Sequence, residues 1–448
     1  MTERFIRGLS VAFLLPACIF AASNARAENW PFVLPTPQEV TYGSMMNTAG
    51  FNYDSSTWST KVRGLVTEVC GASNPGGCPL SILTSATIDQ DQMYALSVSS
   101  LGVKIYKRAD VGIAYALQSL RCLRTLDGTQ VKCASIRDWP SFQVRGMISG
   151  TVTPEGGKVN WINQMAGLKM NLFMFPYSNR TDLSPQERTA YTGVVTHAGN
   201  HCMRLLAQLG LPAGYPDARI PPFDQADYDE MIRIYTYYYN LGAREFTNGL
   251  DDMYIPGGRG ANWGYYHCLA TNTVRKVMKA LSPSCVVWMT PTPYAGLPTT
   301  HYWGHDTSVN PPVDRQILAA DGNAYLRQAR SMLNTDVPIH WTGPDVFSPS
   351  VTNAQADAIA KMIGRAPFFW DNDVITWETN KQPLTGRPPD FWQHVSGYLG
   401  NKAYGYDDLS KQKVLVTIAD YLWNPEAYNS STIWDKACTY VASQRQLP

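Results

Sequence analysis

The stretch Arg244-Glu245-Phe246-Thr247-Asn248-Gly249-Leu250-Asp251-Asp252-Met253-Tyr254 decides how the rest of the chain is read. Its first half has the short apolar character of a buried strand, and two adjacent carboxylates follow. A glycine-rich loop, Ile255 to Gly260, comes next, and then helical spacing over Thr271–Leu281. That is one strand–loop–helix unit with its polar groups at the strand's C-terminal end. Repulsion between neighbouring carboxylates makes double ionisation costly, so one tends to hold a proton near neutral pH. Asp251 and Asp252 can therefore divide into a general acid and a charged orienting group.

Working outward, the same alternation recurs from Trp139 onward. Strands are predicted over Gln143–Ser149, Asn171–Phe175, Glu245–Leu250, Val286–Thr290, Ile339–Thr342, Pro367–Trp370 and Ala403–Tyr406. Helices are predicted over Tyr228–Leu241, Thr271–Leu281, Ala319–Leu333, Asn353–Ile363 and Ser410–Leu422. An eighth strand within Leu209–Pro222 would complete a (β/α)8 TIM-like barrel, whose active site lies at the C-terminal strand ends. Before it, residues 28–138 are expected to form a small α+β accessory domain. It holds strands at Tyr94–Val98 and Lys104–Tyr106 and a helix from Asp110 to Leu120. The barrel is placed at 139–430, with a tail at 431–448 packed on it.

Arg4 and Arg7, the apolar run Leu9–Ala22 and the small-residue site Ala25-Arg26-Ala27 read as a signal peptide over residues 1–27. The expected location is secreted or periplasmic. Removing Arg4, Arg7, Arg26 and Glu3 from 37 basic and 36 acidic residues leaves 34 and 35, so neither nucleic acid nor an anionic membrane is an expected partner. No second apolar run is long enough to predict a membrane span. Eight cysteines remain, and an even number in an exported chain suggests disulfides, with Cys70–Cys78 and Cys122–Cys133 the natural local pairs. The pairing of Cys202, Cys268, Cys285 and Cys438 stays open. His197/His201 and His301/His305 have helical metal spacing but lack a third ligand or a base, so no metal and no cofactor are expected.

Several segments, taken together, resemble glycoside hydrolase family 84, the β-N-acetylglucosaminidase family that includes protein O-GlcNAc hydrolases. They are Arg145-Gly146, Lys169-Met170-Asn171, Asp251-Asp252, Trp341-Thr342-Gly343-Pro344-Asp345-Val346 and Phe368-Phe369-Trp370-Asp371-Asn372, with Ala419 to Pro425 closing the set. The opening Pro35-Thr36-Pro37-Gln38-Glu39-Val40 and the Asp110–Leu120 helix resemble the non-catalytic domain that precedes the barrel in several hexosaminidases. The resemblance implies a retaining reaction in which the substrate's own 2-acetamido oxygen attacks the anomeric carbon, forming an oxazoline. It implies that Asp251 polarises the acetamido N–H and that Asp252 is the acid and then the base. Tyr294 would bond the acetamido oxygen, and Trp341, Thr342, Val346 and Trp370 would shape its pocket. Asn372, Asn401 and the carbonyl of Gly150 would meet sugar groups. The high content of Trp (13) and Tyr (25) suits a sugar site, since flat apolar rings match pyranose faces.

The sequence departs from the family where outer hydroxyls are held. Ser149-Gly150-Thr151-Val152-Thr153 replaces E-G-F-Y-G, the lysine after the second strand is missing from Phe175–Asn179, and Trp377 stands in place of an aspartate. Lost hydrogen-bonding partners shift sugar specificity by orders of magnitude. The expected substrate is a glycan or glycoconjugate carrying a β-linked N-acetylhexosamine. Two alternatives stay open: a carbohydrate-binding protein on a barrel that has lost catalysis, and a glycosidase for a different modified amino sugar.

Overall fold

The computed structural model describes residues 31–149, 156–176, 181–210, 221–251, 253–306, 313–402 and 409–443. The first unit contains β1 (Glu39–Asn47), β2 (Phe51–Asn52), α1 (Thr60–Cys70) and β3 (Cys78–Thr84). It continues with β4 (Tyr94–Ser99), β5 (Gly102–Lys107), α2 (Asp110–Leu123) and β6 (Gln130–Asp138). The six strands form one sheet in the order β1-β6-β4-β5-β3-β2. Helix α2 carries a long apolar face, from Ile113 to Leu123, and buries it.

The second unit alternates strand and helix. It opens with β7 (Arg145–Ser149), α3 (Gly156–Gly167), β8 (Leu172–Pro176), α4 (Pro185–Asn200), β9 (Arg204–Gly210) and α5 (Gln225–Asn240). Next come β10 (Glu245–Gly249), α6 (Gly260–Leu281) and β11 (Val286–Thr290). A three-stranded insertion follows, β12 (Ala295–Gly296), β13 (His301–Asp306) and β14 (Val313–Leu318). The alternation resumes with α7 (Ala319–Met332), β15 (His340–Trp341), α8 (Asn353–Ile363), β16 (Phe368–Asp371) and α9 (Val374–Asn380). The chain ends in β17 (Gly397–Lys402), α10 (Leu409–Trp423) and α11 (Ser430–Ala442). Helix starts follow local chemistry: Ser184 with Glu187, Asp224 with Asp227 and Thr352 with Gln355 each form a reciprocal capping box. Gly364 ends α8 with φ +75°, where a side chain would be strained.

Eight parallel strands run in the order β11-β10-β9-β8-β7-β17-β16-β15. A bridge between Met289 and Ile339 joins the two ends, so the sheet closes into the barrel expected. Two strands sit elsewhere than predicted. The missing strand is β9, beginning at Arg204 rather than inside Leu209–Pro222, and residues 211–220 lie outside the described set. The last strand is β17 at 397–402; the predicted stretch 403–406 also lies outside the described set.

Side chains alternate across each strand, and this parity sorts the core into two parts. Ile148, Leu172, Met174, Leu206, Trp288, Phe368, Trp370 and Leu399 form a separate buried cluster that fills the barrel interior. Their neighbours, such as Met147, Phe173, Phe246 and Phe369, pack outward against the helices.

The two units are joined by buried polar contacts. Lys169 Nζ lies 3.0 Å from Asp138 Oδ2, and both side chains are inaccessible to solvent. Asp138 Oδ1 also accepts from Trp423 Nε1 at 2.7 Å, and Asp420 Oδ1 accepts from Thr36 N at 2.6 Å. Arg145 is buried as well, donating to Lys169 O, Phe142 O and Tyr115 Oη. Three residues that carry the family resemblance, Arg145, Lys169 and Asn171, therefore serve this junction. Asn171 closes the set by accepting from Arg145 N at 2.9 Å.

The expected disulfides are not formed: none of Cys70, Cys78, Cys122, Cys133, Cys202, Cys268, Cys285 and Cys438 takes part in a disulfide. Cys122 is buried in α2, which packs on the face of the sheet bearing Ala134 and Ile136. Cys133 shares the opposite face with Ser135 and Arg137, so the two sulfurs are kept apart. The Cys70 thiol is buried at the end of α1, and burial pushes its pKa up to about 12. None of the described helices is long and apolar enough to cross a membrane.

Candidate active site

A cavity of about 200 Å³ opens at the C-terminal end of the barrel. It is lined by Asp251, Thr290, Tyr294, Thr342, Val346, Phe347, Trp370, Asn372 and Asn401. Every strand-borne member has inward parity: Thr290 follows Trp288 by two, Trp370 follows Phe368 by two, and Asn372 and Asn401 continue that face.

Asp251 is partly exposed and stands two residues beyond the end of β10. The backbone beneath it is held from three directions. Leu250 N donates to Thr290 O at 2.9 Å, Thr292 Oγ1 donates to Leu250 O at 2.8 Å, and Asn248 Nδ2 donates to Thr271 Oγ1 at 3.0 Å. Below lies His267, fully buried between Tyr325 Oη and Asn248 O, with its pKa pushed down to about 3 by burial. The glycine loop beyond is anchored by Asp321, whose carboxylate accepts from Gly258 N and Gly260 N, each at 3.1 Å.

Tyr294, at 9% exposure, accepts at its backbone oxygen from Thr342 N at 2.9 Å, which ties the loops after β11 and β15 together. Asn372 Oδ1 accepts from Asn401 Nδ2 at 2.8 Å, and Asn372 Nδ2 donates to Val346 O at 2.9 Å. This linked amide pair makes one wall polar, while Val346 and Trp370 give an apolar wall. Beneath Asn372, Asp371 is fixed by Arg387 (2.8 Å) and by Tyr398 Oη, so the strand end is rigid.

The three-stranded insertion braces the loops beside the cavity. Trp303 Nε1 donates to Asp345 Oδ1 at 3.0 Å, and a Cβ on Gly304 would lie 2.4 Å from Met253 O. Arg315 stands over the Tyr254 ring at 5.8 Å. Phe347 forms part of the rim and remains 49% exposed.

Of the residues expected at the site, the structure brings together Asp251, Tyr294, Thr342, Val346, Trp370, Asn372 and Asn401. Asp252 and Gly150 lie outside the described residues. Trp341 does not line the cavity. It is 1% exposed, donates to Gly296 O at 3.1 Å and packs on Phe369. Since Thr342 faces inward, its neighbour must face outward, and strand parity excludes Trp341 from the pocket. Thr290 and Phe347 were missed, although the parity that follows from Trp288 marks Thr290 as inward-facing.

Among the described residues no group of three potential metal ligands occurs. His197 Nε2 pairs with Asn163 Oδ1 at 2.6 Å and His201 Nε2 with Glu68 Oε2 at 3.0 Å, which are structural contacts.

The barrel carries its cavity at the C-terminal strand ends, where enzymes of this architecture hold their active sites. The chain belongs to the beta-N-acetylglucosaminidase family, whose sequence model matches residues 215–447, and it is similar to family 84 glycoside hydrolases. It is 27% identical over 216 residues to a beta-hexosaminidase of Vibrio vulnificus, covering 45% of this chain and 25% of that protein. It is 31% identical over 81 residues to the protein O-GlcNAcase of Rattus norvegicus, 17% of this chain and 9% of that one. The chain thus spans about a quarter or less of the curated relatives it matches. Among solved structures it superposes on CpGH84B with a TM-score of 0.72 at 19% identity, over 92% of this chain and 74% of that one. For the Thermobaculum terrenum O-GlcNAc hydrolase the values are 0.54, 17%, 68% and 64%. At these identities the superpositions establish the fold.

Proposed function

We propose that this protein hydrolyses glycosides of a β-linked N-acetylhexosamine, GlcNAc-like, with retention of configuration and by participation of the substrate's acetamido group. The observation that carries the proposal is the cavity: one carboxylate (Asp251), one phenol (Tyr294), an apolar wall and a pair of linked amides converge there in a chain of this family. Asp251 accepts the acetamido N–H, which raises the nucleophilicity of the amide oxygen. Tyr294 donates to that oxygen and fixes its aim at the anomeric carbon. As the carbon–oxygen bond of the oxazoline forms, the glycosidic bond breaks and Asp252 gives its proton to the leaving oxygen. Water then attacks the anomeric carbon, Asp252 takes back a proton, and the amide is restored. Val346 and Trp370 exclude water around the acetyl group, and Asn372 and Asn401 bind ring hydroxyls.

Residues 28–138 act as a scaffold, residues 139–430 as the catalytic barrel and residues 431–448 as a tail, with α11 packed on α10. The leader at 1–27 supports export and a glycan or glycoconjugate substrate outside the cytoplasm.

The test is turnover of an aryl β-N-acetylglucosaminide, followed by NMR of the first-formed anomer. Retention is expected, with inhibition by thiazoline mimics of the oxazoline. Asp251→Ala should remove most activity, while Asp252→Ala should spare substrates with good leaving groups. Inversion of configuration, or full activity in both variants, would overturn the proposal.

A further inference from the structure

Thr290 ends β11 and lines the cavity, yet the chemistry above gives it no task. Its hydroxyl lies 2.7 Å from Nδ1 of His340. His340 is 1% exposed, two residues before Thr342 on the inward face of β15, and sits directly behind the cavity wall. Trp288 stacks on it at 5.4 Å, while Phe368 and Trp370 meet it edge-on at 5.5 and 5.2 Å. Burial pushes the His340 pKa down to about 3, so the ring is neutral and carries one N–H. Its Nε2 is buried with no hydrogen-bond partner among the described residues.

A buried N–H without a partner is rarer than a buried acceptor without one. The favoured tautomer therefore has its proton on Nδ1, donated to Thr290 Oγ1. The threonine hydroxyl is then left with its own hydrogen to donate into the cavity. When Asp251 takes the amide N–H and Tyr294 the amide oxygen, both polar functions of an N-acetyl group are already used. The apolar wall beside it is Val346, which has no donor, and Trp370, whose indole N–H is buried without a partner among the described residues and is not exposed at the cavity surface. A hydroxyl donor placed there is matched only by an acceptor on the acyl group itself.

We propose that Thr290, oriented by His340, selects 2-acylamido sugars whose acyl group carries a hydrogen-bonding atom at its far end, the N-hydroxyacyl class exemplified by N-glycolyl. This rests on the 2-acylamido reading of the site. The probes are aryl β-glycosides of glucosamine bearing N-acetyl, N-glycolyl or N-propionyl groups. Glycolyl and propionyl are nearly the same size and differ in a terminal hydroxyl against a methyl. Wild-type protein is expected to favour glycolyl over propionyl by about tenfold or more in kcat/KM, the usual discrimination from one buried hydrogen bond. Thr290→Val keeps the shape and should bring that ratio to about one or below. Thr290→Ser should restore it, and His340→Phe should lower it with Tm measured in parallel. A wild-type preference for propionyl, or a ratio unmoved in Thr290→Val while N-acetyl turnover persists, would overturn the inference alone. Failure to turn over any of the three glycosides would instead refute the catalytic proposal on which it rests.

Discussion

A Cβ atom added to Gly249 would lie 2.7 Å from Oδ1 of Asp251, closer than real Cβ contacts occur. The last strand residue of β10 and the first carboxylate beyond it therefore share a space that only glycine leaves open. Gly249→Ala should displace the carboxylate by several tenths of an ångström. Because an error of about 1 Å in a reacting group can cost about 100-fold, this smaller shift is expected to lower kcat/KM on an aryl substrate by about tenfold. The Tm should drop by only a few degrees. Unchanged kinetics would show that Asp251 is not held where the chemistry needs it.

Strand parity separates two tryptophans only 29 residues apart in the chain. Trp370 lines the cavity, whereas Trp341 donates to Gly296 O behind it. Trp370→Ala should lower kcat/KM by at least about tenfold through lost apolar contact with the substrate. Trp341→Phe should instead cost about 1–2 kcal/mol of stability, from the lost hydrogen bond, with KM within about threefold of wild type. Steady-state kinetics and urea titration on the two variants would reveal any reversal of these roles.

The Lys169–Asp138 pair is buried on both sides, and burial pulls the Lys169 pKa below its ordinary value against the pull of Asp138. Removing one partner leaves the other charge unpaired, which costs about 3–5 kcal/mol. Lys169→Met should lower the urea midpoint accordingly, and adding Asp138→Asn should recover part of the loss. Kinetics at low temperature should stay near wild type, since neither residue lines the cavity.

His267 and His340 both hold pKa values of about 3 in the fold against 6.5 for an exposed imidazole. The unfolded chain therefore binds protons that the folded chain refuses. The stability involved is fully present above about pH 6.5 and is lost as pH falls toward 3. At pH 5 each histidine accounts for about 2 kcal/mol of that loss. Asp420 works the other way, because burial raises it from 3.8 to about 6 and its cost lifts as pH falls below 6. Urea midpoints at pH 7 and pH 5 should show a net decrease. In His267→Gln the decrease should be smaller by about 2 kcal/mol; an equal decrease in both proteins would contradict this assignment.

Much of this architecture was legible because apolar runs and turn residues mark a βα repeat strongly. Val286–Thr290 and Asn353–Ile363 were read with the bounds they have in the structure. Strand β9 escaped because Arg204 and Gln208 interrupt the apolar run that a buried parallel strand usually shows. The insertion at 295–318 escaped because His301-Tyr302-Trp303-Gly304 has loop-like composition, and its register depends on pairing with distant Leu318–Arg315. Seven of the residues expected at the site line one cavity because they sit at or just beyond strand ends, where a barrel gathers side chains. The Thr290–His340 pair did not, because a single threonine carries no signal of a partner 50 residues away. The cysteines misled for a related reason: nearness in sequence says nothing about which face of a sheet a sulfur occupies.

The insertion has a consequence for engineering. Its strands hold Asp345 through Trp303, crowd Met253 at Gly304 and join Gly343 through Gly296 N at 2.9 Å. The loops after β10, β11 and β15 thus form a single mechanical frame. A swap of any one of them from a relative would import one side of a three-way joint and leave two sides without their mates. Designs that retune this pocket should move residues 251–260, 291–318 and 342–351 as one graft, or else confine changes to side chains that face the cavity.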